Sequence, residues 1–245
     1  MWQLLKRLDL SYKRARHYFH SPDVHYTDKL TAITACFQEA QAQPDTTVFL
    51  YLDEFTFYRQ PTLAADYAAR GSKQPLAYRS YRSNTHARVL AAMNALTGQV
   101  TYVQCSQTTL ATFRKFYYRL RTTYPQAERI YVSQDNWPVH AHPDIRVILE
   151  AQTFAWPPAL PGNWSREPRA SIKTDALPIQ CLFQPTYAPW TNPIEKLWRW
   201  LCQDRLHLHR LSDTWEDLKT CVTNFLDQFS EGSLDLLRYT GLLPD

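Results

Sequence analysis

Apolar positions along the chain fall into short periodic blocks. Residues 27–43, TDKLTAITACFQEAQAQ, place Leu30, Ile33, Phe37 and Ala40 at helical spacing. This predicts a helix with Thr27 or Asp28 near its cap. TTVFLYLDEF follows, β-branched and aromatic, apolar on both faces, and ending in Asp53 and Glu54. Such a run marks a strand buried on both sides. After the looser loop-and-strand stretch RQPTLAADYAARGSKQPL, residues 86–105 read as two strands joined at Thr97-Gly98, a hairpin. Residues 109–124 put Leu110, Phe113, Phe116, Tyr117 and Leu120 on one helical face. ERIYVSQDNW predicts another apolar strand ending at Asp135, and HPDIRVILEAQ a helix. Residues 155–178 are Pro-rich and aperiodic, a long irregular connection of the kind that is usually functional or mobile. IQCLFQP is a short strand. NPIEKLWRWLCQDRL is a helix with Asn192 as cap and Pro193 in its first turn. The last predicted helix covers 213–229.

This order predicts an α/β fold, a mixed sheet of about five strands with helices on its faces. Such sheets bind ligands at the carboxyl ends of strands. The composition, 44% hydrophobic and 20% charged, excludes a disordered polymer, a collagen and a membrane protein. No apolar run reaches the roughly 18 residues of a spanning helix, and the N-terminus lacks the order of a secretory signal. The five cysteines are scattered without a CxxC pair, which predicts free thiols in a reducing, cytoplasmic compartment. The net charge of +4 is compatible with a nucleic-acid partner without establishing one. Residues 1–28 stand apart. WQLLKRLDL reads as the end of an amphipathic helix, and SYKRARHYFHSPD is basic and aromatic. They are too few to bury a core. The expected organisation is a basic arm over 1–28 and one domain over 29–245, with an insertion at 155–178.

Asp53, Asp135 and Glu195 come from three separate predicted elements, near strand ends or in a helix that follows a strand. Converging at one sheet edge, they would offer oxygen ligands to hard cations such as Mg²⁺. Two such ions activate a water or hydroxyl and stabilise the leaving oxygen of a phosphodiester. Each acid also has a plainer reading. Asp53 and Glu54 alternate in direction, so only one faces the site, and Asp53 is preferred over Glu54. Asp135-Asn136 before Trp137-Pro138 also suits a turn. Glu195 also fits a capping box with Asn192.

The local motifs decide between these readings. YLDE, SQDNWPVH and FQPTYAPWTNPIEKLWRWLC closely resemble the catalytic core of bacterial insertion-sequence transposases of the mariner-type superfamily. The first motif is matched by Asp53-Glu54, and the second by Asp135, Asn136 and His140. The third is matched by Pro185, Tyr187, Pro189, Asn192, Pro193, Ile194, Glu195 and Trp198. The resemblance covers residues 20–245. It implies an RNase H-like domain whose Asp53, Asp135 and Glu195 are catalytic and bind two Mg²⁺ ions, with Mn²⁺ as a substitute. Glu54, Asn136, His140 and Asn192 are secondary candidates. The implied activity is phosphodiester hydrolysis and strand transfer on double-stranded DNA, element ends and target, by a homodimer. The alternatives are a non-catalytic DNA-binding element product and a general RNase H-like nuclease. Two departures stand out. The interval from Asp135 to Glu195, about 60 residues, exceeds the family's usual spacing, the excess lying in 155–178. Full-length relatives carry helix-turn-helix domains, and residues 1–19 resemble only the tail of one. This predicts a separately expressed or truncated catalytic chain, with a separate helix-turn-helix subunit as a partner.

Phosphate contacts are expected from Lys6, Arg7, Lys13, Arg14 and Arg16 in the arm. Arg79 and Arg82 follow the first catalytic strand, and Lys196 and Arg199 share the helix of Glu195. Trp198 and Trp200 are expected in the core, and His207 and His209 in structural roles.

Overall fold

In the computed structural model of the chain, residues 2–9, 20–71, 73–150 and 155–243 are described. The basic residues Lys13, Arg14 and Arg16 lie outside them. Five strands form one sheet: β1 (Thr47–Tyr58), β2 (His86–Asn94), β3 (Val100–Cys105), β4 (Arg129–Gln134) and β5 (Ile179–Phe183). Their order is β3-β2-β1-β4-β5. β1–β2 and β2–β3 are antiparallel, and β1–β4 and β4–β5 are parallel. The antiparallel half follows from the tight turn at Thr97-Gly98. Gly98 takes φ +70°, and a Cβ there would stand 2.3 Å from the Ser233 carbonyl oxygen. The parallel half needs long crossovers.

The helices are α1 (Trp2–Arg7), α2 (Tyr26–Ala42), α3 (Leu110–Thr123), α4 (Pro143–Arg146), α5 (Ile194–Leu201), α6 (Trp215–Asp227) and α7 (Leu234–Thr240). Alternation along β1 feeds two cores. Phe49, Tyr51 and Phe57 pack with Ile33 of α2, Leu197 and Trp198 of α5, and Leu218 and Phe225 of α6. Leu50 and Leu52 pack on the other face with Phe113, Phe116, Tyr117 and Leu120 of α3. Each fully buried side chain of this size contributes about 1.5–3 kcal/mol, so burial on both faces holds the sheet. Among the described residues no helix is long and apolar enough to cross a membrane.

Four expectations need correction. β1 does not end at Asp53. It runs on to Tyr58, because β2 pairs with it through Tyr58↔His86 while pairing to β4 stops at Tyr51↔Ser133. The helix expected over HPDIRVILEAQ is the single turn α4. The chain then forms a bridge, Leu149 with Leu177, in which the Glu150 N–H donates to the Leu177 carbonyl at 2.7 Å. α2 starts earlier than predicted, with His25 at its cap position. α7 was not expected, although Ser233 caps it and Gly241 ends it at φ +81°. Residues 20–28 are also no free arm. The Ser21 hydroxyl donates to the Thr186 carbonyl, and Asp23 pairs with buried Lys29.

Candidate functional site

The early end of β1–β4 pairing opens the sheet at one edge. Asp53 lies two residues past the last pair, and Asp135 directly follows β4. Glu195 sits in the first turn of α5, which is held against the opening by Asn192, whose side-chain amide donates to the Leu52 carbonyl at 3.3 Å. Asp53, Asp135, Glu195, Asn136 and Asn192 thus line one cavity of about 400 Å³. Asn192 does not cap α5: no side chain does, and Pro193 occupies the cap position. The capping-box reading of Glu195 therefore fails.

The acids differ in their surroundings. Asp53 accepts a hydrogen bond from the Trp198 indole N–H at 2.9 Å. Burial, and then the charge of Glu195, push its carboxyl up to about 7 against that bond. Glu195 is raised by burial and by Asp135, with Arg199 opposing. Asp135 is lowered: burial would raise it, but His140 and the Trp137 N–H outweigh that. The Trp137 N–H donates to Asp135 Oδ1 at 2.9 Å. Nε2 of His140 lies 3.1 Å from the same oxygen, off the line of a hydrogen bond.

Glu54 points to the opposite face of β1. Its Oε1 is buried without a hydrogen-bond partner, 3.6 Å from His140 Nε2. Burial, then Asp53 and Asp135, drive its carboxyl well above the ordinary range. His140 is itself buried, edge-on to Phe113 at 5.0 Å. Glu54 and His140 therefore support the cavity from behind, and Asn136 lines it.

The basic candidates are dispersed. Lys6 and Arg7 are exposed on α1, and Arg79 and Arg82 are exposed in the β1–β2 connection. Arg199 is exposed on α5, whereas the Lys196 ammonium donates to the Thr240 carbonyl at 2.7 Å. Two residues escaped sequence reasoning. Trp198 was assigned to packing alone; it is buried in the core but its N–H also reaches Asp53. Lys29 is buried beside Asn136. The available signal was a lysine four residues before Ile33, on the apolar stripe of α2.

A five-stranded mixed sheet opening at one edge onto carboxylates from separate elements defines an RNase H-like domain. Residues 48–219 match the DDE superfamily endonuclease family, and the chain belongs to that family. The insertion element IS630 uncharacterized 39 kDa protein of Shigella sonnei is 26% identical over 219 residues. That alignment covers 89% of this chain and 55% of the relative, so the chain spans about half the relative's length. The fold is also that of the Mos1 mariner paired-end complex with Mn, with TM-score 0.63 and 15% identity over 99% of this chain and 66% of that one. The Mos1 strand transfer complex matches with TM-score 0.56 and 16% identity, over 99% of this chain and 65% of that one.

Proposed function

We propose that this chain is the catalytic part of a DNA transposase. It hydrolyses phosphodiesters at the ends of a mobile element and directs the freed 3′ hydroxyl into target DNA. The observation that carries this reading is the convergence of Asp53, Asp135 and Glu195 on one cavity with no lysine or arginine among its described lining residues. Water or the 3′ hydroxyl is the nucleophile. The similar solved structures include Mos1 paired-end complexes with Mn, with Mg and with the left transposon end, and a Mos1 strand transfer complex. By analogy the partner is double-stranded DNA, bound by a homodimer that pairs two ends, with a helix-turn-helix subunit supplying end recognition.

The donor chemistry suits two Mg²⁺ or Mn²⁺ ions, since hard cations prefer carboxylate oxygens. Burial lifts Asp53 to about 7 and the charge of Glu195 adds to it; that added repulsion is one that a cation would relieve. Among the described residues no three His, Cys, Asp or Glu side chains already enclose a metal position. Bound there, the ions would supply Lewis acidity at the attacked phosphate and the leaving oxygen. The protein's own part is orientation. Trp198 fixes Asp53, the Trp137 amide fixes Asp135, and Glu195 projects from the first turn of α5.

The test is incubation with supercoiled plasmid and Mg²⁺ or Mn²⁺, beside Asp135→Ala. Metal-dependent nicking or joining is expected in the wild type, reduced more than about a hundredfold in the variant. Equal background behaviour of both proteins overturns the reading.

A further inference from the structure

Lys29 is 4% exposed, in a position where the stripe of α2 calls for an apolar side chain. Taking an ammonium out of water costs several kcal/mol, and pairing it with a carboxylate often does no better than an apolar replacement. Stability alone therefore does not account for it. Its contacts do. The Lys29 Nζ donates to Asp23 Oδ2 at 2.8 Å, to Asn136 Oδ1 at 3.2 Å and to the Gln184 carbonyl at 3.4 Å. These use all three donors of the ammonium. The Asn136 side-chain amide donates to the same Gln184 carbonyl. Asp23 Oδ2 also accepts the Thr186 N–H at 2.9 Å, and the Ser21 hydroxyl donates to the Thr186 carbonyl at 2.5 Å. All these bonds converge on two short stretches, the residue after Asp135 and the start of the connection that leads from β5 to Glu195.

The sheet reaches only as far as Gln184, whose N–H donates to the Gln134 carbonyl at 2.9 Å and whose side-chain amide donates to the Ser133 hydroxyl at 3.0 Å; Asn136 and residues 185–186 lie beyond the β4–β5 pairing, which ends at Gln134↔Phe183. The acids they carry, Asp135 and Glu195, are like charges that line one cavity. A tie at their base opposes their separation. Asp23 balances the lysine charge, so the tie does not neutralise the acids. It also comes from outside residues 48–219, the stretch that matches the family.

We propose that the Asp23–Lys29 pair is a positioning clamp that sets the spacing of Asp135 and Glu195 for divalent-ion binding; this rests on the reading of the cavity given above. Lys29 and Asp23 touch no substrate and act through Asn136 and the turn at 184–186.

The test uses the full chain, Mn²⁺ alone as probe, and three variants: Asp23→Asn/Lys29→Met, Asn136→Ala and Asp135→Ala. Free Mn²⁺ is followed by electron paramagnetic resonance, and backbone amide exchange is measured without metal. The double variant removes both charges while leaving an acceptor at position 23. It is expected to melt cooperatively, bind Mn²⁺ about tenfold more weakly, and exchange faster over residues 184–192 with β1–β3 unchanged. Wild-type Mn²⁺ affinity and exchange in the double variant overturn the clamp. If that variant does not fold, Asn136→Ala, which cuts the arm of the tie at residue 136 and leaves the ion pair and its bonds to 184 and 186, must still weaken Mn²⁺ binding, and full affinity there overturns the clamp. Wild-type protein that shows no Asp135-dependent Mn²⁺ binding overturns the cavity reading and the clamp with it. Asp135-dependent binding that survives loss of the tie overturns the clamp alone.

Discussion

Trp198 joins the packing of the domain to the chemistry of its cavity through one atom. Its ring stacks on Phe55, centroids 5.2 Å apart and planes 15° from parallel, and its N–H reaches Asp53. Indole donates and cannot accept, so Trp198→Phe keeps most of the apolar contact and deletes only that bond. A hydrogen bond to a charged group contributes about 1.5–3 kcal/mol, and tenfold corresponds to about 1.4 kcal/mol. Nicking at fixed Mn²⁺ should therefore fall at least about tenfold, and the melting temperature should drop by about 3–12 °C, at about 2–4 °C per kcal/mol. Unchanged nicking would show that the bond does not orient Asp53. At this scale the sequence was informative where chemistry is visible in residue type. Three acids at three element ends can be read, and strand alternation favours Asp53 over Glu54 in the cavity, which Asp53 lines. It was silent where a residue has two roles. A tryptophan among apolar neighbours looks like core, and a lysine on a helix looks like surface.

Among the elements, the 155–178 connection is the one whose length departs most from expectation, and it is pinned at a definable point. Asp144 in α4 is fully buried and accepts the Arg169 backbone N–H at 2.9 Å and its Nε–H at 2.6 Å. Removing one partner of a fully buried pair costs about 3–5 kcal/mol. The Arg169 side chain is 60% exposed, so solvent screening reduces this, and we expect about 1–2 kcal/mol for Asp144→Ala. The variant should melt several degrees lower and be cut faster by trypsin within 155–178, with plasmid nicking retained. The pH dependence has a definite sign. Burial would raise the Asp144 carboxyl, but the Arg169 bonds and charge hold it below its ordinary value. A depressed folded value gives stabilisation that is complete above the unfolded pKa of about 3.9 and is lost as pH falls through the folded value. The gap in melting temperature between wild type and variant should stay constant from pH 7 to about 5 and close below about 4. A gap that widens in acid would contradict the pairing. The strands were legible because β-branched and aromatic runs buried on both faces leave little else to be. Helix ends were less so. Pro143 starts a turn that the Leu149–Leu177 bridge cuts short, Asn192 turns its side chain to Leu52 instead of to its own helix, and α7 is only seven residues long.

For the whole molecule, the cavity exists only in the folded chain, because its acids lie in elements far apart in sequence. A cation held by them binds the native state and finds no equivalent in the unfolded one. Stability should then rise with cation concentration by RT ln(1 + [L]/Kd), about 2.7 kcal/mol at a hundred times Kd. For a chain of this length each kcal/mol shifts the melting temperature by about 2–4 °C, so saturating Mn²⁺ should raise it by about 5–10 °C. Chelation should reverse the shift. Sodium chloride at equal ionic strength controls for screening of surface charge, and Asp135→Ala controls for the site, since it removes one donor. That variant should respond to Mn²⁺ by less than about 2 °C. The comparison separates a metal site from general electrostatics without DNA, a second subunit or turnover. An equal Mn²⁺ response in wild type and variant would place the cation elsewhere and leave the three acids without their proposed ligand.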